Sequence, residues 1–154
     1  MHIYLLALLI GIVAGLRTMT APAAVSWAAY LGWLPLQNTP LAILGNVVMV
    51  YTLTVLAIGE LIADQLPKTP SRKVPVQFGA RIVSGTLCGA AIGAAGRALA
   101  GRPVAGIIGA VIGTLGGAEA RGRLARGFGR DMPAALIEDV VAIVGAYLIV
   151  AAFA

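Results

Sequence analysis

The chain is poor in the residues from which most catalytic and metal sites are built. It has one cysteine, Cys88, and one histidine, His2. A lone cysteine forms no internal disulfide, and no Cys/His spacing for zinc exists. No Ser-His-Asp set, Walker loop or dinucleotide fingerprint is present. The sequence therefore offers no catalytic residue and no cofactor motif, and His2 reads as an interfacial side chain. Charge is scarce as well. Charged residues make up 11% of the chain, whereas soluble domains carry about 25%, so there is too little polar surface to coat a soluble fold. Only six residues are acidic, which makes any acid within apolar sequence conspicuous.

Apolar sequence is what the chain has in abundance. Hydrophobic residues are 60% of the 154 and mean hydropathy is +0.95, values that point to an integral membrane protein. The length leaves room for one membrane domain, residues 1–154, and no soluble one. Six apolar segments can be drawn, at roughly 2–16, 20–34, 41–66, 79–99, 103–120 and 134–154, against the roughly 20 residues a full crossing needs. The third, fourth and sixth reach that length; the fifth is slightly short. The first two are shorter still and are separated by little more than Arg17, Thr18 and Met19. They read as two thin spans, or as one span and a half-helix. The expected fold is an all-α, polytopic transmembrane bundle of five to six segments. No basic stretch precedes residues 3–16, so they read as a retained helix rather than a signal peptide.

The net charge of +5 is concentrated in short loops. Lys68, Arg72, Lys73 and Arg81 flank one connection; Arg121, Arg123, Arg126 and Arg130 flank another. This is a topology signal and not a nucleic-acid stripe. It places the loops near 67–80 and 121–133 in the cytoplasm. With six spans Arg17 reaches the cytoplasmic face; with five it is buried in mid-membrane. The six-span reading costs less electrostatically.

Glycine recurs at every fourth position in Gly85, Gly89 and Gly93, and again in Gly109, Gly113 and Gly117. That spacing lines one face of a helix, and small residues there let helix backbones approach in lipid. We expect glycine zippers joining the fourth and fifth segments to each other or to another subunit. An internal repeat is also possible, because the Gly15–Thr20 and Gly79–Ser84 stretches are alike.

Four acids and several arginines are candidates for a site. Glu60 and Asp64 stand four apart, on one helical face, and suit a cation, a proton or a metal of unknown identity. Their plain reading is a pair at a helix end, balanced by Arg17, Arg72 or Arg81. Glu138 and Asp139 lie near the start of the last segment, where acids favour a helix N-terminus, and would share the cytoplasmic side with the first pair. Arg17, with Thr18 and Thr20 at the start of a helix, could hold an anion, or could snorkel to headgroups. The loop from Lys68 to Lys73 could touch lipid phosphates.

The runs Gly15-Leu-Arg-Thr-Met-Thr-Ala-Pro22, Glu60-xxx-Asp64-Gln-Leu-Pro67-Lys-Thr-Pro70-Ser-Arg72 and Ile137-Glu138-Asp139 occur in that order. Over nearly its whole length the chain resembles a bacterial family of small multi-spanning membrane proteins, the domain of unknown function numbered four-one-two-six. The resemblance implies no activity. It implies that Arg17, Thr18, Thr20, Pro22, Glu60, Asp64, Pro67, Pro70, Ser71, Arg72, Glu138 and Asp139 matter together, and that the protein sits in a bacterial inner membrane. Read together, these features favour a small transporter or channel for an ion or small solute. It would be a homo-oligomer in contact with lipid, with Arg17, Glu60, Asp64 and Arg81 at its site. The alternatives are a structural or lipid-binding membrane protein, or a membrane enzyme acting on a lipid or polyprenyl phosphate.

Overall fold

A computed structural model describes residues 2–66, 71–97 and 100–154. Pro67, Lys68, Thr69 and Pro70 lie outside the described residues. Those described form six α-helices and no strand: α1 (His2–Leu16), α2 (Thr20–Tyr30), α3 (Val47–Ala63), α4 (Pro75–Ala95), α5 (Arg102–Phe128) and α6 (Asp131–Ala151).

Helices α4, α5 and α6 are each long and apolar enough to cross a membrane, and α1 and α3 are shorter apolar helices. The eleven residues of α2 rise only about 16 Å, half of the roughly 30 Å of hydrocarbon in a bilayer. The chain after α2 folds back onto it. Leu34 and Leu36 are buried, the Ser26 hydroxyl donates to the Leu44 carbonyl, and a 3-10 turn at Ala42–Gly45 leads into α3. Asn46 starts that helix by accepting the Val48 N–H at 2.8 Å.

Two further boundaries differ from the sequence expectation. Helix α4 begins at Pro75, whose fixed φ suits the first turn. Helix α5 runs on to Phe128 and α6 starts at Asp131, so most of the expected 121–133 loop is helical. Its charges are compatible with helix because Glu119 and Arg123 pair four apart, at 2.8 Å. The turn between these helices is short, with Gly129 at φ +67°, a conformation that favours glycine.

Contacts between helices fix the direction of each. Tyr4 donates to the Ala100 carbonyl at 2.9 Å, and Arg81 reaches Gly15 at the other end of α1, so α1 and α4 are antiparallel. Trp27 donates to Thr54 at 2.9 Å while the amide of Thr18 bonds Glu60, so α2 runs against α3. Arg17 meets Asp139, whereas Trp33 meets Tyr147 with ring centroids 6.4 Å apart. Residues 17–19 therefore reverse the chain, and α1 and α2 form a hairpin. The two similar stretches consequently differ in structure: Gly15–Thr20 makes this reversal, while Gly79–Ser84 lies inside α4. Thr18 and Met19 give their amides to Glu60 instead of continuing a helix.

Helices α1, α4 and α5 pack through glycine. A Cβ on Gly85 would lie 2.6 Å from the Gly106 carbonyl oxygen, and one on Gly89 would lie 2.6 Å from that of Arg102. Gly109 and Gly113 face the α1 backbone at Leu8 and Ile12 instead of α4. Gly106, Gly11 and Gly15 complete these contacts, although the fourfold spacing does not reveal them. Gly93 is buried in α4. The outside of the bundle is apolar: Val55 and Ile62 on α3, Val83 on α4, Ile112 on α5, and Val140 and Leu148 on α6 are all exposed. Water does not favour such a surface, whereas lipid does.

Candidate functional site

The hairpin turn between α1 and α2 brings two helix ends into the interior. The last carbonyls of α1 and the first amides of α2 have no intrahelical partners, and buried away from water each must find one. Side chains from other helices provide them. Glu60 of α3 accepts the N–H groups of Thr18 and Met19, both at 2.7 Å. Arg81 of α4 donates to the carbonyls of Gly15 at 2.6 Å and Leu16 at 2.8 Å. Ser84 donates to the Thr18 carbonyl at 2.6 Å. A carboxylate at a helix N-terminus and a guanidinium at a helix C-terminus both follow the sign of the backbone dipoles.

Arg17 is in the same turn but bonds no backbone group there through its side chain. Its guanidinium is fully buried, pairs with Asp64 and Asp139, and lies 3.8 Å from Glu138. It therefore does not snorkel to headgroups. Arg72 pairs with Glu138 through both oxygens. Arg121 lies 3.5 Å from Glu138 and 3.9 Å from Asp64, and binds Asp131 with an Nε–Oδ1 distance of 2.9 Å. Gln65 donates to Asp139 at 3.0 Å. A Cβ on Gly117 would meet Leu16 Cδ2 at 2.5 Å and lie 3.3 Å from both members of the Arg72–Glu138 pair.

The residues expected at a site thus converge at one end of the hairpin, in two groups with separate tasks. Glu60, Arg81 and Ser84 satisfy the backbone of the turn. Arg17, Asp64, Arg72, Arg121, Glu138 and Asp139 pair mainly with one another. Although Glu60 and Asp64 are four apart, they serve different partners, Glu60 the hairpin amides and Asp64 Arg17. Among the described residues no three His, Cys, Asp or Glu side chains gather as metal ligands. Thr18 contributes backbone groups, and Thr20 lines a groove between α2 and α6. The sequence reading missed Arg121, Gln65 and Ser84. Setting aside the exposed Asp131 that Arg121 also binds, four arginines, Arg17, Arg72, Arg81 and Arg121, stand beside four carboxylates, Glu60, Asp64, Glu138 and Asp139, so the formal charges of this inner set cancel, with Arg81 donating to backbone carbonyls. Around them the outer face remains apolar at Ile62, Leu136, Ile137, Val140 and Val141.

Helices of spanning length, an apolar exterior and a charge-balanced interior define a helical integral membrane protein. A family profile described as Domain of unknown function (DUF4126) matches residues 4–153. The chain belongs to that family. No curated protein and no solved structure matches it.

Proposed function

We propose that the protein is a small transporter or channel for an ion or small solute, with the Arg17 cluster as its polar site. The observation that carries this reading is a fully buried arginine held by Asp64 and Asp139 beneath an apolar exterior. Ionisable side chains buried in a membrane bundle are rare and costly, and they are candidates for ion and proton pathways. The needs of the hairpin turn account for Glu60 and Arg81, but not for the Arg17–Asp64–Asp139 set. A proton suits this set best among ions. Its carboxylates are the only groups of the set able to take up and release a proton, because the guanidinium stays charged. A cleft of about 130 Å³ between α5 and α6, lined by Arg121 and Glu138 among apolar residues, offers access to the cluster from the side.

In this reading the cluster end faces the cytoplasm of a bacterial inner membrane, as the loop arginines suggest. Helices α1, α3, α4, α5 and α6 cross the membrane, and α2 with its folded-back loop makes a partial sixth segment. The small-residue faces of α1, α4 and α5 act as a glycine zipper. A 154-residue chain is small for a private pathway, so a homo-oligomer with its pathway between subunits belongs to the same proposal.

The test is proton flux into liposomes that contain the purified protein and a pH-sensitive dye. Asp64→Asn and Asp139→Asn lose flux, while Glu119→Gln, whose carboxylate pairs with the exposed Arg123, retains it. Flux equal to that of empty liposomes across a panel of ions, or flux unaffected by both aspartate variants, refutes the proposal. The cluster would then be a structural device of the bundle.

A further inference from the structure

Helix α5 is longer than the hydrocarbon it would cross. Its 27 residues rise about 40 Å, whereas the hydrocarbon of a bilayer is roughly 30 Å thick. Arg102 opens the helix at the end away from the charge cluster, with its guanidinium carbon 4.2 Å from the centre of the Tyr4 ring. About 20 residues from there fill the hydrocarbon. The last two turns of α5 therefore come out beyond it, together with the Gly129 turn and the start of α6.

That projecting end carries cations that the chain does not neutralise. The acids nearest to it are already bound, Glu119 by Arg123 and Asp131 by Arg121. Lys73, Arg126 and Arg130 are exposed, and no acid among the described residues forms an ion pair with them. Arg123, Arg126 and Lys73 all stand close enough to Glu119 for their charges to act on it, so three cations surround one acid. Apolar side chains accompany them. Leu124 and Phe128 stand four apart on one face of α5, while Arg123 and Arg126 share another. Phe128 and Met132, on either side of the turn, are both exposed. Water suits the cations but not Phe128 and Met132, and hydrocarbon suits those two but not the cations. The headgroup layer of an anionic leaflet suits both.

We propose that this end of the α5–α6 hairpin is a docking surface for anionic phospholipid. Lys73, Arg126 and Arg130 bind the phosphates of its headgroups, while Phe128 and Met132 sit among the first acyl carbons. Charge complementarity selects this occupant. The inner set of arginines and carboxylates is neutral in itself, so it leaves the surplus positive charge at the surface to be met from outside the chain. The proposal needs α5 to cross the bilayer, but it does not need the transport reading. Its failure would leave the flux test untouched.

The test titrates the purified protein in mild detergent with dioleoyl phosphatidylglycerol and, separately, with dioleoyl phosphatidylcholine, which has the same tails but no net charge. Native mass spectrometry reads the fraction of protein with lipid bound. Phosphatidylglycerol should bind about fivefold more tightly or better. Arg126→Gln and Arg130→Gln should each weaken it about fivefold, the worth of one cation at an anionic surface, and leave phosphatidylcholine unchanged. Phe128→Ala should weaken both lipids. Arg97→Gln removes an exposed cation at the other end of α4 and should change neither. All four sites are exposed, and circular dichroism checks that each variant keeps its helices. Equal binding of the two lipids overturns the proposal and leaves the patch to an acidic protein. A preference that survives the double change Arg126→Gln/Arg130→Gln overturns it too, as does one that Arg97→Gln reduces by the same factor. Binding of soluble glycerol phosphate as tight as that of the lipid would mean a phosphate site and not a membrane surface, and would also overturn it.

Discussion

Removing the charge of Arg17 should destabilise the bundle, and removing a second, opposite charge should restore much of the loss. Arg17→Met keeps the length and apolar bulk of the side chain but leaves the cluster with one uncompensated negative charge. Each close pair contributes about 4 kcal/mol at 4 Å for an effective dielectric near 20. Arg17 makes two such pairs, plus one to Glu138 at 3.8 Å. The loss is smaller than their sum, because Arg121 remains 3.9 Å from Asp64 and Gln65 remains 3.0 Å from Asp139. Breaking a buried pair by removing one partner costs about 3–5 kcal/mol, and we expect that range here. The double change Arg17→Met/Asp139→Asn restores neutrality and should recover about half of the loss. Arg17→Lys keeps the charge but loses the fork that spans two carboxylates, so it should fall between wild type and Arg17→Met. Unfolding by added SDS in mild detergent, followed by circular dichroism, measures all three. A single variant within about 0.5 kcal/mol of wild type, or a double variant less stable than the single one, would refute the charge-balance account.

Other expectations follow from the packing and from the turn. Gly89→Ala places a methyl 2.6 Å from the Arg102 carbonyl oxygen and 3.0 Å from the Gly106 Cα. Both are backbone atoms that cannot swing aside, so the variant should lose about 1–3 kcal/mol, whereas Gly116→Ala, with nothing within 4 Å, should lose none; SDS titration compares the two. Glu60→Leu leaves the Thr18 and Met19 amides unmet at about 1–3 kcal/mol each, and hydrogen exchange at those two amides should accelerate while the middle of α5 stays protected. Glu119→Gln breaks only an exposed pair with Arg123 and should leave thermal stability unchanged within error.

Much of the cluster was legible in the sequence because membrane burial makes charge scarce. When only six residues are acidic, those next to apolar runs are few, and they have few possible partners. Spacing did not reveal how those partners divide. Glu60 and Asp64 share a helical face, yet Glu60 meets the hairpin amides and Asp64, at the C-cap of α3, meets Arg17. That division depends on where another helix ends in space. Arg121 was read as a loop charge, although the Glu119–Arg123 spacing is a helical signal that would have extended α5 past it. Gly106 was overlooked because it falls outside the fourfold series of Gly109, Gly113 and Gly117. It is recognisable only once α4 and α1 approach the same stretch of α5 from two sides. The short α2 was drawn too long because Trp33 and Leu34 are apolar, and apolarity alone does not separate a helix from a buried return loop.

The counterions of Arg17 also have a consequence for the order of synthesis. Arg17 emerges from the ribosome with the first hairpin, yet Glu138 and Asp139 belong to the last helix. Until α6 enters the bilayer, the newborn chain holds that arginine with Asp64 alone. A chain cut before α6 is therefore expected to hold Arg17 less firmly than the full chain. The last helix thus completes the charge pairing that the first hairpin begins.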